Sequence, residues 1–198
     1  EFRRVLFRSG RILAINFMAF LAICWKSQTL FSPPSTVLWQ FGAKEAVALA
    51  QGEYWRLVSP IFLHIGIVHF SLNSLALYRL GSYLEEILGP SWFLAIFMIS
   101  GVFGNCLSAA TSLATSAGAS GAIFGLIGVG VVLERHLQRR AAALGHEVQK
   151  NNAFAGMAAV NIFLGIIIPG IDNGAHVGGF LGGLGSAFFM FCWTENRL

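Results

Sequence analysis

Two side chains in this sequence have the types needed for acyl-transfer chemistry. Ser120 sits in Gly118-Ala119-Ser120-Gly121 at the mouth of a strongly apolar segment, and His176 stands alone at the mouth of another. A hydroxyl attacks a carbonyl when an imidazole takes its proton, so Ser with His is the minimal nucleophilic pair. Both fall within lipid-length apolar stretches, where polar groups are costly and tend to mark function. The pairing points to nucleophilic catalysis at a buried depth.

The elements that must position this pair follow from composition. The chain of 198 residues is 56% hydrophobic and 11% charged, with mean hydropathy +0.68, far from the roughly 25% charged share of soluble domains. That is the composition of a polytopic membrane protein. Six apolar stretches can be drawn, at 12–31, 60–80, 92–112, 119–133, 153–169 and 175–193, most of them near the ~20 residues that span a bilayer. The formal charge of +4 does not indicate nucleic acid, because the basic residues gather at segment ends. Arg3, Arg4, Arg8, Arg11, Arg79, Arg135, Arg139, Arg140, Lys150 and Arg197 fall on one side, against Lys26, Lys44 and Arg56 on the other. The positive-inside rule then predicts both termini in the cytoplasm and loops one, three and five facing outward, beside Trp55, Ser120 and His176.

One bundle, over 10–198, is the economical organisation. Residues 1–9 have no initiator methionine and carry an odd basic run, which reads as a non-native or disordered segment. They are no secretory signal, since no cleavage site follows the first apolar run. The long first loop, 32–59, opens with Ser32-Pro33-Pro34 and continues with mixed apolar and polar residues, which predicts short helices at the membrane surface. Residues 135–152 are polar and read as a solvated connection. Cys24, Cys106 and Cys192 all lie in apolar segments, so they read as small buried hydrophobes rather than a disulfide framework.

Small residues supply a way for Ser120 and His176 to meet. Gly179 and Gly183 follow His176 on one helical face, and Gly121, Gly125 and Gly128 make a matching stripe after Ser120. Such stripes let membrane helices approach closely, although the same glycines would also serve packing alone. Ser120 to Glu134 is ~21 Å of helix at 1.5 Å per residue, in a hydrocarbon core of about 30 Å. Ser120 is thereby placed below the outer surface, near a helix N-terminus whose free N–H groups and dipole suit an oxyanion.

His69 and Asn73, spaced i, i+4, share a face from which two side-chain donors can aim at a developing oxyanion, or can instead join neighbouring helices. His64 lies off that face and reads as structural, hydrogen-bonded to the first loop. His-Glu-x-x-His does not occur, which removes the ligand set of an intramembrane zinc protease. Asp172 is the sole aspartate, which excludes a two-aspartate protease; it either orients His176 or forms the turn Pro169-Gly170-Ile171-Asp172-Asn173-Gly174.

With Gly118-Ala119-Ser120-Gly121-Ala122-Ile123-Phe124-Gly125, His64-x4-His69-x3-Asn73, Trp55-Arg56 and Ala175-His176-Val177-Gly178-Gly179 in this order, the chain resembles the rhomboid intramembrane serine proteases. The resemblance runs from about Gly52 to Gly183. It implies an all-α integral membrane protein, a six-transmembrane-helix bundle with a water-filled cavity open to the outside. It further implies Ser120 as nucleophile, His176 as general base, and His69, Asn73 and the Ser120 N–H as the oxyanion hole. Gly179 and Gly183 would pack the sixth helix on the serine helix, Trp55 and Arg56 would brace the first loop, and Phe124 would stack near the histidine. No seventh helix or cytosolic domain is visible, as in the compact bacterial form, whose place is the plasma membrane. The implied partners are transmembrane protein substrates in the lipid bilayer; no cofactor, metal or nucleic acid is called for. A rhomboid-like pseudoenzyme that binds membrane helices without cutting them is the first rival. A small transporter is the second, disfavoured because the polar residues gather in the outer half.

Overall fold

The computed structural model describes residues 8–146 and 152–195, and among them every extended element is a helix. Helix α1 (Arg8–Ser27) starts on the carboxylate of Glu85, which accepts hydrogen bonds from the N–H groups of Arg8 and Ser9 and from the Ser9 hydroxyl. A carboxylate there satisfies orphan donors and complements the helix dipole. Arg8 and Ser9, which the sequence groups with a non-native or disordered start, are thus part of the first helix; residues 1–7 lie outside the described residues. The helix stops at Ser27 because Gln28 adopts a left-handed φ of 55°, short of the predicted end at Phe31.

The first loop folds as the sequence predicts, into short helices. They are α2 (Ser35–Gln40), α3 (Ala46–Ala50) and two 3-10 turns, Tyr54–Leu57 and Ser59–Phe62. Glu45 caps α3 by accepting from the N–H groups of Val47 and Ala48. The second predicted segment, 60–80, is displaced along the chain. Its first residues stay in the 3-10 turn, and the rod begins as α4 (Gly66–Ala76), widens into a π turn (Leu77–Gly81) and runs on as α5 (Ser82–Leu88). Gly66 marks the break: it has φ 79°, and a Cβ there would lie 1.9 Å from the Phe31 carbonyl oxygen.

Four longer helices complete the fold: α6 (Pro90–Thr111), α7 (Ser120–Ala143), α8 (Ala153–Ile167) and α9 (Asn173–Glu195). Gly89 at φ 79° ends α5, and Pro90 opens α6 where its missing N–H costs nothing. Helix α7 outruns its predicted end at Leu133, carrying exposed Arg135, Arg139 and Arg140 to Ala143. The start of the region expected to be a solvated connection is therefore helical. Arg, Leu, Gln and Ala are good helix formers, so the helix persists after its apolar pattern has stopped.

By length and composition α1, α6, α7 and residues Asn173–Phe191 of α9 can cross a membrane, and α8 is apolar but shorter. The protein is an integral membrane protein. Helix α7 is the most enclosed of these, packed by α6, α8 and α9 around Phe93, Phe97, Ile123 and Leu126. A second, smaller core of Ile23, Leu38, Ala43, Leu63 and Ala117 seats the first loop. Trp25, Leu72, Phe163 and Phe188 point outward, an apolar exterior that lipid accepts and water would not.

Candidate active site

Ser120 is the first residue of α7, and no side chain caps that helix start. Its free N–H groups and the positive end of the dipole are therefore available to a negative charge. Gly118 delivers the serine. It adopts φ 148°, donates its N–H to the Pro60 carbonyl at 2.9 Å, and sits against His69. A Cβ built on Gly118 would lie 2.6 Å from His69 Cε1, 2.9 Å from His69 Nε2 and 3.6 Å from Ser120 Oγ. The imidazole and the hydroxyl thus converge on one glycine, which has no room for any side chain.

His176 lies in the first turn of α9, its N–H donating to the Asp172 carbonyl at 3.1 Å. Its ring stacks on Phe124, with centroids 4.1 Å apart and planes 14° from parallel. Phe124 is one helical turn beyond Ser120, so the stack brings the imidazole to the serine's end of α7. Among the described residues no hydrogen bond joins Ser120 Oγ to His176, whose buried Nδ1 has no partner. In enzymes generally, a bond between a nucleophile and its base is often long without substrate and tightens when it binds.

The helix approach that the glycine stripes predict is present. A Cβ on Gly179 would lie 1.9 Å from the Gly121 carbonyl oxygen, and one on Gly183 1.9 Å from that of Gly125. Gly128 is also close to α9, though less tightly: a Cβ there would lie 2.6 Å from the Phe180 carbonyl oxygen. Gly104 of α6 joins this seam, with a Cβ position 2.7 Å from the Ala175 carbonyl oxygen. The sequence does not single out Gly104, because its relation to the stripe depends on a third helix.

His69 and Asn73 each make one local hydrogen bond. His69 Nδ1 accepts the Ile65 N–H at 3.3 Å, so a neutral ring carries its proton on Nε2, the nitrogen beside Gly118. Asn73 Nδ2 donates to the His69 carbonyl at 2.9 Å, which uses one of its two N–H bonds and leaves the other. His64 sits among rings. Its ring packs edge-on to Phe70 at 5.5 Å and tilts against His69 at 5.4 Å, with neither nitrogen in a standard hydrogen bond. Only a looser interaction with the Phe62 backbone reaches it. Ring packing, with the Phe62 backbone at the end of the first loop, holds His64.

Arg56 braces that loop. Its guanidinium lies 4.5 Å from the ring centroids of both Trp39 and Trp55, and its Nε donates to Glu53 at 2.7 Å. Its Nη1 donates to the carbonyls of Trp39 at 2.8 Å and Ala43 at 3.1 Å. A buried charge is tolerable only when its donors are satisfied in this way.

A second polar cluster, unforeseen in the sequence, lies beside the site. Lys44 is fully buried; its Nζ donates to the carbonyls of Ser112 at 3.1 Å and Ala114 at 2.8 Å, and its backbone pairs with Ser116. Burial pushes its pKa down, an effect that Asp172 opposes. Asp172 accepts from the Ala175 N–H at 2.9 Å and from the Ser108 hydroxyl. Burial resists its charge, but hydrogen bonds from Ser108, Ser116 and Ala175, together with Lys44, hold its pKa below the usual carboxylate range. No side-chain hydrogen bond links it to His176, so of its two predicted roles the turn is the one seen. Its isolation as the sole aspartate was the available signal; for Lys44 there was none.

The Rhomboid domain family matches residues 51–193. Rhomboid protease GluP of Bacillus subtilis is 42% identical over 147 residues, 74% of this chain and 28% of that protein. RHOMBOID-like protein 5 of Arabidopsis thaliana is 33% identical over 173 residues, 83% of this chain and 53% of its own length. YdcA of Bacillus subtilis is 33% identical over 185 residues, 91% of this chain and 89% of itself. The chain therefore spans between about a quarter and nine-tenths of these relatives. It belongs to the rhomboid family.

Proposed function

We propose that this protein is an intramembrane serine endopeptidase that cleaves transmembrane segments near the outer leaflet. One observation carries the reading: the His176 imidazole stacks on Phe124 one turn from Ser120, while His69 Nε2 and Ser120 Oγ meet at Gly118. Relatives named as rhomboid proteases agree with it.

His176 takes the Ser120 proton as Ser120 Oγ attacks the peptide carbonyl. The developing oxyanion receives the Ser120 N–H, the His69 Nε2–H and the free N–H of Asn73. His176 then protonates the leaving amine, and the acyl-enzyme remains. Water attacks the ester with His176 again as base, which restores Ser120. No cofactor enters these steps. A substrate backbone must leave its helix before Ser120 can reach it, since helical carbonyls are already hydrogen-bonded. Spans with helix-breaking or small residues near the outer surface are the favoured substrates.

In this reading α1, the α4–α5 rod, α6, α7, α8 and α9 make six crossings of a bacterial plasma membrane. Residues 10–198 act as one catalytic unit, with both ends in the cytoplasm. The test is cleavage of a transmembrane reporter by purified protein in lipid, beside Ser120→Ala and His176→Ala. Loss of cleavage in both folded variants supports the dyad. Equal inertness of all three proteins, with reporter still bound, replaces it by helix capture without cleavage.

A further inference from the structure

Asp172 stands one residue before α9 and four before His176, and its contacts run in three directions. Its Oδ1 accepts the Ala175 N–H at 2.9 Å while its carbonyl accepts the His176 N–H at 3.1 Å, which fixes the first turn of α9. Its Oδ2 accepts the Ser108 hydroxyl, which ties that turn to α6. The Ser116 hydroxyl and the Lys44 charge also act on the carboxylate. Ser116 is itself held by an antiparallel backbone bridge to Lys44, with N···O distances of 2.8 and 3.0 Å. Four residues further on is Ser120. One carboxylate therefore ties the turn that carries the base to α6, and it does so beside the loop that delivers the nucleophile.

We propose that Asp172 is a positioning residue for the catalytic pair: it clamps the first turn of α9 to α6, beside the Ser116 loop, and so sets His176 in register with Ser120. This rests on the reading of Ser120 and His176 as the dyad. The device differs from a triad, because the carboxylate acts through backbone and neighbouring hydroxyls and makes no hydrogen bond to the imidazole. The groups facing it are Ser108 from α6, Ser116 and Lys44 from the loops, and Ala175 from its own turn. Misplacement of a reacting group by about 1 Å can cost ~10² in rate, which is the leverage such a clamp has.

The experiment compares wild type, Asp172→Ala, Asp172→Asn and Ser108→Ala in lipid. It follows steady-state cleavage of a transmembrane reporter and amide exchange at Ala175, His176 and Val177. Asp172→Ala is expected to lower kcat by about 10- to 10²-fold with KM little changed, and to speed exchange at those three amides. Asn retains an oxygen for the Ala175 N–H, so Asp172→Asn should recover most of the rate. Ser108→Ala removes only the tether to α6 and should show a smaller loss; it carries the comparison if Asp172→Ala does not fold. Unchanged kcat and exchange in Asp172→Ala overturn the inference and leave the dyad intact, as does a rise in KM alone. An inert wild type whose exchange still rises in Asp172→Ala sinks the dyad reading and the catalytic role of the clamp with it.

Discussion

The imidazole of His176 lies flat on the phenyl ring of Phe124, 4.1 Å between centroids. The two residues sit on different helices, so the stack is a direct gauge of how α9 is set against α7. An aromatic pair of this kind is worth ~0.5–1.5 kcal/mol beyond area burial. Phe124→Ala should lower kcat by about 2- to 10-fold, whereas Phe124→Tyr, which keeps the ring, should stay close to wild type. Reporter cleavage at saturating substrate distinguishes them, and equal rates for both variants would remove the stack from the mechanism.

Asn73 is expected to act on the oxyanion and not on the fold. Asn73→Ala should reduce kcat by ~10² to 10³ with little change in melting temperature. His69→Ala should lose rate similarly, although its ring also fills space against His64 and Gly118. A folded Asn73→Ala protein with full activity would discredit its assigned role.

Much of this site was legible because its geometry is written in local spacing. Gly179 and Gly183 repeat at four residues, as do Gly121 and Gly125, and both pairs meet backbone to backbone. His69 and Asn73 share a face for the same reason. The less legible parts depend on long-range contacts. Apolar pattern marks the buried length of a helix and not its end, so α7 passes Leu133 and the second rod begins at Gly66 instead of Pro60. Lys44 looks like one more outward basic residue, and only the carbonyls of Ser112 and Ala114 reveal why it is buried.

The seam should tolerate no added methyl group. Gly179→Ala would place Cβ 1.9 Å from a backbone oxygen that cannot rotate away. Overpacking of this sort typically costs ~1–3 kcal/mol, and here it must also part the helices that carry Ser120 and His176. Thermal unfolding in detergent should show a clear loss, accompanied by reduced cleavage. A variant with wild-type melting would mean that the helices have another way to sit together.

Arg56→Lys is not a conservative change at this site. An ammonium cannot reach Glu53 and the carbonyls of Trp39 and Ala43 in one planar fork, nor lie between two indoles as a guanidinium does. The expected cost is on the order of 1–3 kcal/mol. Limited proteolysis should find the first loop cut sooner, and an unaltered digestion rate would count against the brace.

Acid should loosen the Asp172 cluster. Its folded pKa lies below the unfolded value of about 3.9, so its contribution is complete above that pH. It is lost as pH falls through the lower folded value. Stability measured from pH 6 down to pH 2 should fall more steeply in wild type than in Asp172→Asn, which has no such proton to gain. Parallel curves would show that other carboxylates govern acid stability.

The π turn at Leu77–Gly81 has a consequence for the whole second rod. In a regular α-helix each four-residue step overshoots a full turn by ~40°, so three steps drift ~120° around the axis. Asn73, Leu77, Gly81 and Glu85 are nevertheless all buried. The wide turn resets the helical phase, and one face carries Asn73 at one end and the carboxylate that anchors α1 at the other. Removing a single residue from this turn would rotate one end by ~100° and leave the rod able to keep Asn73 or its anchor in place, but not both.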